Sequence, residues 1–279
     1  MNARIRSVAQ VALFVAVAFT STPVFSASPS SCQGLPSHAA LKAALATAVN
    51  AATLPLNGGL GFEMWLTAVN RDGVVCAVVF SGDSRGDQWP GSRVISAQKA
   101  NAANAFSLPG FALSTANLYS AVQPGGTLFG LQHSNPVDPE VAYAGNPAHN
   151  GQPNDHMTGK KIGGVNVFGG GLALYDGANL LGAIGVSGDT SCTDHNVAWK
   201  VRDLLDLDDV PAGVAPGGTD NIIHDIAPDA HLHPVSAGGF GHPTCDATAT
   251  ATAGGLPSCH PIGSVVGPVD INAAPCDLP

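Results

Sequence analysis

The sequence predicts an α+β fold: a five-stranded antiparallel sheet flanked by helices, with a long loop insertion and an irregular C-terminal tail. Three observations carry that expectation. Two stretches repeat one plan: Met64 to Phe80 around Arg71-Asp72-Gly73, and Leu172 to Val186 around Asp176-Gly177. Each reads as two apolar strands joined by a tight turn whose residues tolerate positive φ. Both stretches end alike, in Ser81-Gly-Asp-Ser84 and Ser187-Gly-Asp-Thr190. Segments of helical periodicity alternate with these hairpins, and a sheet with two apolar faces requires helices on both.

At the N-terminus, Arg4 and Arg6 precede the apolar run Val11 to Phe19, followed by Pro23 and small residues. This is the pattern of a secretory signal peptide covering residues 1–26, cleaved after Ser26 or Ala27. A bilayer span takes about 20 apolar residues, more than this run supplies. No other stretch reads as a membrane span, so the mature chain is expected to be periplasmic or secreted.

Hydrophobic residues make up 45% of the 279 and charged ones only 11%, beside 34 Gly and 21 Pro. That is ample for a core and implies much loop. The net charge of −9 becomes −11 once the first 26 residues, with two arginines and no acid, are removed. So acidic a chain is a poor binder of nucleic acid or anionic membrane. All six cysteines lie beyond the signal, which in an exported protein points to disulfides. Cys245 and Cys259, flanking an Ala/Thr/Gly stretch, form the easiest local pair. A zinc site from His242, Cys245, Cys259 and His260 is the weaker reading in an oxidising compartment.

Ser37 can cap a helix running to about Thr53, with Leu41, Ala44, Leu45 and Ala48 on one face. The first hairpin follows, then the loop Gly82 to Gly91. Ser92 caps a second helix to Ser107, whose many alanines permit close approach to a sheet. A short third helix spans Ser114 to Gln123, and Thr127 to Gln132 supplies the fifth strand. His133 to Gly164 is polar and aperiodic, and a loop of that length is commonly functional. After the second hairpin, Asp194 to Leu207 is the strongest helix, capped by Thr193 or Ser191, with Asp194 at the positive end of its dipole. Periodicity is lost over 208–279, read as a disulfide-tied extension draped on the core.

No Cys-x-x-Cys-His, nucleophile elbow, phosphate-cradling loop or His-Glu-x-x-His occurs. Histidine is the chemical resource: ten residues, mostly outside regular elements. Imidazole is a common ligand of metals and haem iron, which makes His38, His133 and His156 the candidate metal ligands. The plainer alternative is that each is a surface or hydrogen-bonding histidine. Arg85, beside a glycine-rich segment, can grip a carboxylate or propionate, and Lys160 can do so from the long loop. Asp189 and His195, at the exit of the second hairpin and the first turn of the last helix, complete the candidate ligand-binding set. Gly182 and Gly185 mark places where another backbone or a flat ligand comes close.

Two segments carry a family resemblance. Arg71-Asp-Gly-Val-Val with Ser96-Ala-Gln-Lys-Ala100, and Gly170 to Gly188 followed by Asp194, resemble the GlcG/HbpS-like haem-binding family over about residues 36–208. The resemblance implies a profilin-like α/β/α sandwich for the domain 27–207, assembly into a homo-oligomer, and non-covalent haem as cofactor. It also implies a role in haem breakdown or glycolate metabolism for some members, and places a haem-linked histidine of the first helix at His38.

The first reading is therefore an exported protein that holds or buffers haem, with apolar walls from the sheet and the alanine-rich helix. Iron would meet His38, or His133 or His156 of the loop, and Arg85 or Lys160 would meet the propionates. The rivals are an enzyme acting on a small oxygenated acid, using Asp189, His195 and Arg85, and a non-catalytic extracytoplasmic scaffold.

Overall fold

The computed structural model describes residues 32–50 and 53–263. The expected signal peptide at 1–26 and Cys276 lie outside the described residues. Ser37 Oγ accepts the Ala40 N–H and opens α1 (His38–Ala48), whose buried residues are Leu41, Ala44, Leu45 and Ala48, the face predicted from their spacing. The first hairpin is β1 (Trp65–Asn70) and β2 (Val75–Phe80). Its turn is tied by Asn70 Oδ1, which accepts the N–H groups of Asp72 and Val74. Next comes α2 (Ser92–Ala105), with Gly91 rather than Ser92 at the cap position. Two 3-10 turns, Thr115–Leu118 and Ser120–Val122, stand where the third helix was expected.

The long loop contains α3 (Leu131–Ser134) and α4 (Pro139–Tyr143). Buried Arg93 on α2 fastens the loop, donating Nε–H to Asp155 at 2.9 Å and a further N–H to Ala142 O at 2.9 Å. Val141, Ala142, Met157 and Ile162 of the loop join the core beside α2. The second hairpin is β3 (Gly171–Asp176) and β4 (Asn179–Ser187), so its two turn residues are Gly177 and Ala178, one position later than expected. α5 (Ser191–Leu204) is capped by Thr190, several residues ahead of its expected start.

The four strands form one antiparallel sheet in the order β2-β1-β4-β3. This corrects the expected five. Thr127 to Gly130 turns instead of extending: Leu128 N–H donates to Ala121 O, and Gly130 has φ 91°, outside the range of a strand. Strand alternation sends Leu66, Ala68, Ile184 and Val186 to one face, against α1 and α5. Trp65, Val69 and Ala183 point to the other, against Ala97, Ala100 and Ala103 of α2.

The alanines do permit close approach, so close that no gap is left. A Cβ added to Gly185 would strike Ser96 O and Ala100 N of α2, and one at Gly182 would strike Val69 O of β1. The partners of these glycines are backbone. The recess expected between sheet and alanine-rich helix is filled by the protein itself.

The extension is only in part irregular. It carries a two-stranded ribbon, β5 (Ile226–Pro228) with β6 (Pro234–Ser236), and α6 (Ala247–Cys259). The helix escapes sequence reading because Gly254, Gly255 and Pro257 argue against one. It forms because Asp246 caps it, accepting the Ala249 N–H, and because Ala249, Ala253 and Leu256 bury one stripe against the body. Asn196 of α5 donates to both Ala249 O and Asn57 O at 3.0 Å.

Disulfides join Cys32 to Cys76 and Cys192 to Cys245. This overturns the expected Cys245–Cys259 bridge, and Cys259 is itself disulfide-bonded elsewhere. The helix that intervenes separates its ends by roughly 1.5 Å per residue, whereas a bridge needs Cα atoms within about 7 Å. Among the described residues no helix is long and apolar enough to cross a membrane.

Candidate functional site

Trp65 is opposite Phe80 on one side and Ser187 on the other, so both Ser-Gly-Asp segments leave the sheet at the same end. There Asp189 is buried, and its carboxylate accepts the N–H groups of Leu60 at 2.8 Å, Phe62 at 3.0 Å and Thr190 at 2.6 Å. Asp189 thus positions the 58–62 loop, its carboxylate taken up by backbone donors. The Phe62 ring lies 5.1 Å from that of Trp89. Leu60, Phe62 and Trp89 are 61%, 37% and 50% exposed, an apolar patch in an otherwise polar surround. Trp65 Nε1–H donates to Trp89 O at 3.0 Å and anchors the loop that also carries exposed Arg85.

His38 is linked to this patch through Gly151 and the buried rings of Trp65 and Phe80. It is half-buried at the first turn of α1, and its Nε2–H donates to Gly151 O at 3.0 Å. Gly151, at φ 76°, packs so tightly on Phe80 and Trp65 that a Cβ there would strike both rings. Lys42, one turn beyond His38, holds its ammonium 4.9 Å from the centroid of Phe80. A chain of contacts therefore runs from His38 and Lys42 through the buried Trp65–Phe80 pair to exposed Trp89 and Phe62. Phe62, Trp89 and Lys42 were missed by sequence reasoning. For Phe62 and Trp89 the only signal was an aromatic residue in a polar loop, and nothing local says that two loops meet.

The other candidates have different partners. His156 and Lys160 pair with each other, Nζ to Nε2 at 2.8 Å, and His156 Nε2 also lies 3.1 Å from Glu140 O. His133 is exposed at the end of α3. Among the described residues no group of three His, Cys, Asp or Glu is arranged to hold a metal. A recess of about 180 Å³ near Arg93, Tyr143 and Asn150 is too small to enclose a large planar ligand.

His195, expected at a ligand, is fully buried. Its Nε2 lies 3.1 Å from Asn221 Oδ1 and from the Ile222 N–H, and burial pushes it down to about 3, so it is neutral. Next to it, Lys99 Nζ lies 2.6 Å from Asp194 Oδ2 and donates to Val186 O. Asp194 Oδ1 accepts the N–H groups of Gly188 and Asp189. Burial raises Asp194 and lowers Lys99 against their mutual attraction. The pair staples α2, β4 and α5 and has no access to solvent.

A family model described as haem-degrading HbpS-like protein matches residues 38–202. The chain belongs to the HbpS-like family. Solved structures similar to this HbpS-like chain include Klebsiella pneumoniae protein ORFY, at 25% identity over 61% of this chain and 89% of that one, with a TM-score of 0.40. A PduOC complex with haem shows 22% identity over 60% and 89% at a TM-score of 0.40. A double mutant of Streptomyces reticuli HbpS shows 16% over 68% and 99%, also at 0.40. No curated protein matches the chain. The HbpS-like match opens at His38 and closes at Arg202, which leaves β5, β6 and α6 beyond it.

Proposed function

We propose that this HbpS-like protein holds haem non-covalently on its surface, at the sheet end where His38 is linked to the exposed aromatic patch, after export to a periplasmic or extracellular space. The observation that carries the reading is the chain of contacts that joins the His38 imidazole, through Gly151, Phe80 and Trp65, to the exposed rings of Trp89 and Phe62 at one sheet end. The family supports the cofactor. The residues present fit it: haem needs an apolar face, an axial donor and cations for its propionates.

Leu60, Phe62 and Trp89 offer the face, and their exposure is the cost that a flat apolar guest would relieve. Gly151 O fixes the tautomer of His38, leaving Nδ1 as the donor, the kind of outer hydrogen bond that strengthens a histidine ligand. Lys42 and Arg85 supply positive charge at the margin. Bound haem would bring a redox-active iron; the protein would orient it and shield one face. The disulfides Cys32–Cys76 and Cys192–Cys245 suit an oxidising compartment. The rival acid-processing enzyme is less favoured, because Asp189 is saturated by backbone donors and His195 is buried away from Arg85.

Hemin titration of the purified full-length protein tests this. Wild type should shift the Soret band and saturate near one hemin per chain. His38→Ala should weaken binding by roughly tenfold or more, as loss of a ligand does, while His133→Ala and His156→Ala should bind like wild type. No shift at stoichiometric hemin, or a His38→Ala protein that binds normally, overturns the proposal. Sedimentation of the same samples reports whether a second copy covers the patch.

A further inference from the structure

The C-terminal extension holds a second pair of imidazoles, outside the family-matched residues. His242 is 2% exposed and donates Nδ1–H to Pro243 O at 2.7 Å. His224, half-buried, donates Nδ1–H to His242 O at 3.2 Å. Because a carbonyl can only accept, both rings carry the proton on Nδ1 and present a lone pair at Nε2. Both Nε2 atoms are shut off from solvent and have no hydrogen-bond partner. Buried polar atoms without partners are uncommon and call for an explanation. A Nδ1–H tied to a carbonyl with Nε2 left open is the arrangement of a metal-ligating histidine.

The ring centroids are 6.4 Å apart, with planes at 74°. At a metal–nitrogen distance of about 2.0 Å, two imidazoles on one ion place their centroids roughly 6 Å apart only when they approach from opposite sides. Among the described residues no third His, Cys, Asp or Glu completes a group, which removes a tetrahedral zinc site built from these side chains. His195, whose Nδ1 is also unpartnered, does not join them in such a group. Monovalent copper accepts two nitrogen donors in line, and the 6.4 Å separation fits that geometry. Tyr119, its ring 5.0 Å from that of His242, walls the site on one side.

We propose that His224 and His242 form a two-coordinate copper(I) site. The test is anaerobic competition between the purified full-length protein and a chromogenic copper(I) chelator, with ascorbate present. Wild type should withdraw one copper per chain. His224→Ala, at a half-buried position, and His242→Ala should not, with circular dichroism confirming that each is folded. His231→Ala with His233→Ala, an exposed pair nearby, should retain the ion. X-ray absorption should show two nitrogen ligands. No withdrawal by wild type, unchanged withdrawal by folded His224→Ala, loss on removing His231 and His233, or a four-coordinate spectrum would each overturn the site. None of these outcomes depends on hemin binding.

Discussion

His38 reaches the carbonyl oxygen of Gly151 at 3.0 Å across 113 positions of chain. The first helix is thereby joined to the long loop, beside the rings of Trp65 and Phe80. Gly151 cannot be replaced there without cost, since its φ is positive and its Cα faces both rings. Gly151→Ala should lower the urea midpoint, by a loss of about 1–3 kcal/mol, and should weaken hemin binding with it. His38→Ala should cost only about 1 kcal/mol, one partly exposed hydrogen bond, while hemin binding falls sharply. A His38→Ala protein that loses stability while binding hemin like wild type would make His38 merely structural.

The extension is held by a buried ion pair. Arg202 on α5 donates to both oxygens of Asp220, at 2.7 and 2.8 Å, and neither side chain reaches solvent. Asp220→Ala leaves a guanidinium buried without its partner and should cost about 3–5 kcal/mol. Chemical denaturation followed by tryptophan fluorescence would measure it, Trp199 lying 4.8 Å under the Arg202 guanidinium. A loss below about 1 kcal/mol would mean that this ion pair does not hold the extension to the body.

The Cys192–Cys245 bridge closes a separation of 53 residues. On the loop-closure estimate its removal costs about 4 kcal/mol. Cys192→Ser with Cys245→Ser should therefore lower Tm and expose the 241–246 segment to limited proteolysis. Asp246, next to Cys245, accepts the Gly59 N–H at 2.9 Å, so loosening this segment should also weaken hemin binding at Leu60 and Phe62. Unchanged protease resistance would show that Arg202, Asp220 and α6 suffice to seat the extension.

Acid stability carries a signature of His195. Its folded value is about 3, against 6.5 in the unfolded chain, chiefly because burial disfavours the cation. Between those values the unfolded state binds a proton that the folded state refuses. The contribution of neutral His195 is therefore complete above about pH 6.5 and declines as pH falls toward 3. Asp194 and Asp208, both raised to about 6, work in the opposite sense. They titrate in wild type and variant alike and cancel in the comparison. His195→Gln should be less stable than wild type at pH 7, and the gap should narrow by up to about 4 kcal/mol on acidification. A gap independent of pH would place His195 in solvent.

By itself the sequence determined the local structure. The stripe Leu41, Ala44, Leu45, Ala48 specified α1, Arg71-Asp72-Gly73 specified the first turn, and alanines at 97, 100 and 103 specified that α2 would lie close on a sheet. These are properties of residues a turn or a pleat apart, where periodicity and side-chain bulk decide. What lies on top of what was settled only in three dimensions. Gly185 met a helix backbone and not a flat ligand, Thr127 to Gly130 turned where a strand was expected, and Cys245 found Cys192 once α6 had carried Cys259 away. The aromatic zone linked to His38 and the His224–His242 pair are of the same kind. Each joins segments separated by a turn or more of other structure, 113 positions for His38 and Gly151 and 18 for His224 and His242, and such meetings are selected by packing, which no local pattern encodes.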